Sequence, residues 1–453
     1  MYQTRPARMI KGEISVAPDK SISHRSLIFS SLAEGESRIE NLLPGEDVLR
    51  TLVIVNQLGV ETSRDPQTVK HGESVVIKGA GLHGYAKPDA VLYCGNSGTT
   101  MRLFLGLLAG QKFTSVLTGD ASLNRRPMDR VMDPLKKMGA SFKVFEQQKK
   151  RMIQTGSADG DAGCLSGIHY HMPVASAQVK TALLLAGLNA AGETKVTEPG
   201  LSRNHTEIML KAMGANIKTS GLSVAVKPVA CLRPLDITIP GDISSAAFFI
   251  VAAVVLKGSD ILLRNISLNP TRTGILDCLI SMGADIKTEN LRDAGGEIVG
   301  DLRVRGSRLK NIAIGGSLIP RLIDEIPILA LAGAVAEGTM TVSDAKELRV
   351  KESDRIHAVC AEFKKLGVNI TERPDGFVIE GAGGAAPFGR AHPVTVSSQK
   401  KQIHLSSYGD HRMAMMETVA GLLLDQPAVI DDTACVNTSF PQFFNLMGQV
   451  MMG

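Results

Sequence analysis

Six runs of helical length are apolar on nearly every face: residues 26–33, 103–109, 181–191, 246–256, 327–336 and 413–424. A helix that is hydrophobic all round must be enclosed on all sides, so each run predicts a helix buried inside a globular body. The first five close at a glycine, Gly35, Gly110, Gly192, Gly258 and Gly338, spaced at intervals of about 66 to 82 residues, as an internal repeat requires. The sixth closes at Asp425-Gln426. After a run comes a short β-rich stretch, such as residues 115–118 or 340–342, and then a segment apolar on one face only. Val131, Leu135 and Met138 keep the i, i+4, i+7 rhythm of an amphipathic helix, as do Ile275, Leu279 and Met282. These second helices share an ending, Leu58-Gly59, Met138-Gly139, Met213-Gly214, Met282-Gly283, Leu366-Gly367 and Met447-Gly448, which predicts six glycine stops.

Two extended segments follow each stop, for example 61–63 and 75–78, so the order is β-α-β-α-β-β and the class is α/β. The sixth repeat lacks its last strands, while the strand-like segment 8–16 at the N-terminus belongs to no repeat. We expect that segment to complete the sixth repeat. The second domain is then discontinuous, 1–19 with 241–453, and the first spans 20–240, with a hinge at the two crossings near 18–20 and 240–242. A linear solenoid fits less well, because helices apolar on all sides suit an enclosed core better than a ladder with one open face.

Composition narrows the partners. The chain has 453 residues, 44% hydrophobic and 21% charged, with a net charge of +5, 4% aromatic residues and no Trp. A small positive balance without stacking platforms disfavours nucleic acid and leaves small anions open. The six cysteines, at 94, 164, 231, 278, 360 and 435, show neither CxxC nor Cys/His ligand spacing, so no disulfide framework and no metal site is expected. No apolar run is long enough to span a bilayer or to form a signal peptide, and a cytoplasmic, monomeric protein without membrane partners is expected.

The chemistry collects just before the buried helices. The motifs there are Lys20-Ser21-x-x-x-Arg25, Asn96-Ser97-Gly98-Thr99-Thr100-Met101-Arg102, Ser176-Ala177-Gln178-Val179-Lys180, Asp242-Ile243-Ser244-Ser245, Asp324-Glu325 and Asp410-His411-Arg412. A helix start offers unpaired N–H groups and the positive end of the dipole, so cations placed there point to an arriving anion. A single such start reads equally as a capped helix with solvated charges. Recurrence changes that, because the loops before the second helices add Arg125-Arg126-Pro127, Arg203-Asn204-His205 and Lys351-Glu352-Ser353-Asp354-Arg355. Lys20, Arg25, Arg102, Arg126, Arg203, Lys351, Arg355 and Arg412 together exceed what one phosphate needs, and the arginines suit bidentate contact with phosphate or carboxylate. Among the carboxylates, Asp242 reads as a counter-ion. Asp324 is placed to take a proton from a hydroxyl, and Glu352 to deliver or remove one. Asn96–Thr99 lacks the Gly-Lys-Ser/Thr of a P-loop, which argues against an ATPase.

With these motifs the chain resembles the enolpyruvyl transferases over essentially its whole length, and within them the family acting on shikimate 3-phosphate. The resemblance implies a two-domain inverse α/β barrel, three β-α-β-α-β-β units with buried parallel helices in each domain, closing over the substrates. It implies transfer of the enolpyruvyl group from phosphoenolpyruvate to the 5-hydroxyl of shikimate 3-phosphate, with release of phosphate and no metal or organic cofactor. By position, Lys20, Ser21, Arg25, Ser176, Ala177, Gln178, Arg203, Asp324 and Lys351 look like shikimate 3-phosphate contacts. Lys20, Asn96, Gly98, Arg126, Gln178, Arg355 and Arg412 look like the phosphoenolpyruvate site. Asp324 resembles the base, Glu352 the proton donor, and Lys20 a residue touching both ligands.

Two departures resemble a divergent bacterial branch: Thr438-Ser439 rather than a Lys precedes Phe440-Pro441, and Ser176-Ala177-Gln178 replaces Ser-Ser-Gln. Some members of that branch tolerate glyphosate and carry Ala at the position of Gly98, so the resemblance implies that glyphosate competes with phosphoenolpyruvate here. The sister enzyme using UDP-N-acetylglucosamine carries a reactive Cys in its second repeat, and this chain has none between Cys94 and Cys164. A non-catalytic anion binder on the same fold would gain nothing from Asp324 and Glu352 in a basic site.

Overall fold

The computed structural model describes residues 1–65, 72–156, 165–383 and 402–452; Cys164 lies outside them. The second repeat shows how each is built. Strand Leu92–Tyr93 enters helix Gly98–Leu108, strand Ser115–Thr118 leaves it, helix Asp129–Lys137 follows, and the hairpin Phe142–Gln147 with Lys150–Thr155 closes the repeat. The four strands form one sheet in the order first, second, fourth, third. The first pairs parallel to the second, Leu92 opposite Leu117, which the intervening helix makes possible as a crossover. The third and fifth repeats have the same sheet order. Five of the second helices end at a glycine with positive φ, Gly59, Gly139, Gly214, Gly283 and Gly367. The sixth does not: Gly448 sits inside helix Phe443–Val450, and the chain stops turning only at Met451. A glycine ends a helix only where the chain beyond it turns away, and here the helix runs on to Val450, which is buried.

The contacts divide the chain into two compact lobes. The first comprises Pro18–Ile239 with Asp293–Glu297, and the second Met1–Ala17, Pro240–Arg292 and Ile298–Gly453. In the first lobe the buried helices are Lys20–Ser31, Gly98–Leu108 and Ala177–Gly187; in the second they are Ile243–Val255, Ile326–Val335 and His411–Leu422. All 13 residues of Ile243–Val255 are buried, and so is every residue of Ile326–Val335. In the second lobe the three helices touch one another; in the first, Gly98–Leu108 touches both of the others, and Arg25 of Lys20–Ser31 donates to Thr181 of Ala177–Gly187. Removing such faces from water, at about 25 cal/mol per Å² of apolar surface, is the main force holding them together. Among the described residues no helix is long and apolar enough to cross a membrane.

The N-terminal segment does not complete the sixth repeat. Strand Met9–Ile14 pairs parallel with Asp260–Ser267, Lys11 opposite Asp260, and so fills the first-strand position of the fourth repeat. Strand Met451–Met452 pairs antiparallel along its other edge. The first-strand position of the first repeat is filled by Ile237–Thr238, parallel to Glu34–Leu42. The chain therefore exchanges its first strands at the two crossings. What the sixth repeat does receive is the two-residue strand Tyr2–Gln3, antiparallel to Ala428–Ile430.

Candidate active site

Each buried helix presents its first turn, and five of the six are capped by a side chain. Asp19, Ser97, Ser176, Asp242 and Asp410 accept from N–H groups two or three residues on. The sixth, Ile326–Val335, has Glu325 before it and no side-chain cap. There Asp324 and Glu325 are turned to other partners: Ser244 Oγ donates to Glu325, and Arg272 donates to both Ser244 Oγ (2.6 Å) and Asp242 (3.0 Å). Asp242 is thus a cap and a counter-ion.

In the first lobe, two groups of the expected residues come together. Lys20 pairs with Asp47, a partner that spacing alone could not name. Arg25 is only 2% exposed and donates to Thr206 Oγ1 (2.8 Å), Thr181 Oγ1 (3.0 Å) and the Ser21 carbonyl (3.0 Å). Arg203 donates to Ser21 Oγ at 3.3 Å. Thr181 Oγ1 donates to the Ala177 carbonyl, which sets the Ser176-Ala177 helix start beside Arg25. Lys180, from the same motif, is turned into the core between Glu198 and Glu207, 2.7 Å from each. It is a structural cation.

The second group surrounds Gly98. Arg126 donates to Asn96 Oδ1, Asn96 donates to Asp120 (2.7 Å), and Gln178 joins Arg102, which donates to its Oε1, to Thr99, which accepts from its Nε2 at 2.8 Å. A Cβ at residue 98 would lie 3.1 Å from a terminal nitrogen of both Arg102 and Arg126. The bare backbone there lets two guanidiniums converge on one helix start. A buried chain ties this start to the first: His24 Nδ1 meets Thr51 Oγ1 at 2.7 Å, Thr51 meets Thr100 Oγ1 at 2.7 Å, and Thr100 donates to Ser97 Oγ at 2.7 Å. Burial, with Lys20 and Arg25 nearby, drives the His24 pKa well below its ordinary value, so the imidazole is neutral.

In the second lobe Asp324, Lys351, Glu352, Arg355 and Arg412 form one cluster. Arg355, 1% exposed, donates to Asp410 (2.8 and 3.2 Å), Asp324 (3.2 Å) and Glu352 (2.7 Å). Lys351 reaches Asp324 at 3.2 Å, and Arg412 lies 4.0 Å from it. Burial opposes the Arg355 charge, but Asp410, Glu352 and Asp324 outweigh it and hold its pKa above the ordinary value. Burial likewise opposes the Asp410 carboxylate, and Arg355 holds it below the usual range. Asp410 is the residue that the motif reading passed over: it caps Arg412, orients Arg355 and accepts from Ser353 (3.0 Å). Its signal was its place before a cationic helix start.

Comparison with known proteins gives the arrangement a family. The family model for EPSP synthase (3-phosphoshikimate 1-carboxyvinyltransferase) matches residues 4–447. A 3-phosphoshikimate 1-carboxyvinyltransferase of Citrifermentans bemidjiense is 48% identical over 450 residues, covering 99% of both chains. One of Geobacter metallireducens is 47% identical over 449 residues, again with 99% of each chain covered. Among solved structures, an EPSP synthase of Acinetobacter baumannii superposes with a TM-score of 0.83 at 42% identity, covering 99% of this chain and 98% of that one. With the family model matching residues 4–447 and relatives aligned over 99% of its length, this chain belongs to the EPSP synthase family.

Proposed function

We propose how these residues divide the work of the family's reaction, in which the enolpyruvyl group of phosphoenolpyruvate passes to the 5-hydroxyl of shikimate 3-phosphate and phosphate leaves. Ser21, Arg25, Ser176, Ala177, Gln178, Arg203 and Lys351 hold shikimate 3-phosphate. Asn96, Gly98, Arg126, Gln178, Arg355 and Arg412 hold phosphoenolpyruvate, and Lys20 serves both. The observation that carries the reading is the second-lobe cluster, where two carboxylates, Asp324 and Glu352, are hydrogen-bonded to one buried arginine. A site built only to bind anions would not spend its cation on two carboxylates.

In addition, the 5-hydroxyl oxygen bonds to C2 of phosphoenolpyruvate. Asp324 takes the hydroxyl proton, and Glu352 gives a proton to the methylene carbon, which becomes a methyl. In elimination the Glu352 carboxylate takes a proton back from that methyl as the C2–O bond breaks and phosphate leaves with the bonding pair, restoring the double bond. Lys351, Arg355 and Arg412 act as counter-ions to Asp324 before substrates arrive. Ligand anions compete for those cations, which frees the carboxylate to accept a proton. Fixed cations beside the leaving phosphate lower the barrier, because they are oriented before charge develops.

The test is phosphate release with phosphoenolpyruvate and shikimate 3-phosphate. Turnover that needs both substrates and falls by about 10² or more in Asp324→Ala supports the roles. Near-parental turnover in Asp324→Ala removes the base assignment.

A further inference from the structure

We propose that Glu362 and Tyr408, neither among the ligand contacts assigned above, are positioning residues that set the phosphoenolpyruvate cations Arg355 and Arg412. The inference rests on that assignment of the two arginines.

Glu362 lies seven residues after Arg355 on helix Arg355–Lys365, two turns along the same face. It is fully buried, yet its carboxylate is surrounded by donors. Lys365 Nζ reaches both oxygens at 2.9 and 2.8 Å, the Tyr408 hydroxyl donates at 2.9 Å, and the Ser406 N–H donates at 3.0 Å. Two of those donors come from the loop that leads into Asp410. Asp431 holds the same loop from another element, accepting from the Ser407 N–H (2.8 Å), Ser406 Oγ (3.0 Å) and Ser407 Oγ (3.3 Å).

Beyond these anchors the backbone turns through two left-handed residues, Tyr408 at φ 55° and Gly409 at φ 67°. Tyrosine does not hold that conformation unaided, so its bond to Glu362 has something to restrain. The loop then ends on Asp410, which pairs with Arg355 and caps the N–H of Arg412. The segment 406–410 is thus fastened to helix Arg355–Lys365 at both ends, by Glu362 at one and by Arg355 at the other. The two fastenings fix where Asp410 sits, and Asp410 sets both arginines. A buried carboxylate held by hydrogen bonds gives little stability over a well-packed apolar residue. Position is what this one supplies.

Steady-state kinetics of the full chain tests the role. Tyr408→Phe removes one hydroxyl from a side chain that is 42% exposed and leaves the fold intact. It should raise KM for phosphoenolpyruvate about threefold or more, with kcat and KM for shikimate 3-phosphate within about twofold. Glu362→Gln should raise the same KM about tenfold with the same split between substrates. A phosphoenolpyruvate KM within about twofold of the parent in Tyr408→Phe overturns the proposal, even if Glu362→Gln fails to fold. Equal rises in both KM values overturn it too, because they report general loosening. Arg412→Ala separates the two levels: an unchanged phosphoenolpyruvate KM there overturns the assignment and the inference together. A KM raised by Arg412→Ala but not by Tyr408→Phe overturns the positioning role alone.

Discussion

At the scale of single residues, the cations were legible because helix starts advertise anions, whereas their partners were not. Lys20, Arg126, Arg355 and Arg412 could be named from motifs, but Asp47, Asp120 and Asp410 acquire meaning only when the fold brings them within hydrogen-bond reach. Gly98 gives a sharp test. A methyl at this position stands 3.1 Å from nitrogens of Arg102 and Arg126, closer than side chains normally approach, so one guanidinium must move. Gly98→Ala should therefore weaken inhibition by glyphosate about tenfold or more, equivalent to about 1.4 kcal/mol, while the chain keeps its fold. Equal inhibition of parent and variant would reject this account of the pocket. Lys20→Met tests the other helix start. Losing the cation leaves Asp47, 7% exposed, without its ion pair, and turnover should fall by about 10² or more with unchanged circular dichroism.

At the scale of elements, the buried helices were readable from apolar residues on all faces, and Ile243–Val255 and Ile326–Val335 are enclosed throughout. Period-2 strands were readable as strands, but not their partners. Nothing local to Met9–Ile14 distinguishes the fourth repeat's sheet from the sixth's, because pairing is decided by the path of the chain between them. Gly448 misled for the opposite reason, since a local signal was overridden by the burial of Val450 two residues on.

One helix carries a cost that the pattern hid. Glu417, inside helix His411–Leu422, is fully buried, and neither of its oxygens meets a hydrogen-bond partner among the described residues. Burial first, then Glu362, Asp431 and Asp410, push its pKa from 4.5 up to about 9, with Lys365 opposing. The folded chain therefore keeps a proton that the unfolded chain has lost. The resulting stability is complete below the unfolded value and is lost as pH rises through the folded one. Glu417→Gln removes that penalty. Thermal melting should show little difference between variant and parent near pH 5 and a stabilised variant near pH 8.5, by roughly 2–4 °C for each kcal/mol relieved. A constant difference across pH would contradict the protonation.

At the scale of the whole molecule, the exchanged first strands make the lobes unequal in what they need from the chain. The first lobe is continuous from Pro18 to Ile239 apart from the short piece Asp293–Glu297, whereas the second draws a paired strand from Met9–Ile14, where Ile10 is fully buried. Residues 18–239 expressed alone should give a cooperative melt. Residues 240–453 alone should not, because Asp260–Ser267 loses its parallel neighbour and becomes an open edge. Adding a peptide of residues 1–17 should restore the transition, and a cooperative melt of 240–453 without it would defeat the argument. The same exchange places a demand on synthesis. Strand Met9–Ile14 cannot find its place until Asp260–Ser267 exists; the Ile10 N–H donates to Ser259, 249 residues further on. At about 5–20 residues per second, that is a wait of roughly 12–50 s. For that time the nascent chain carries Ile10 and Ile14, both buried in the folded protein, on a strand with no partner, and it is the stretch that a chaperone would have most reason to hold.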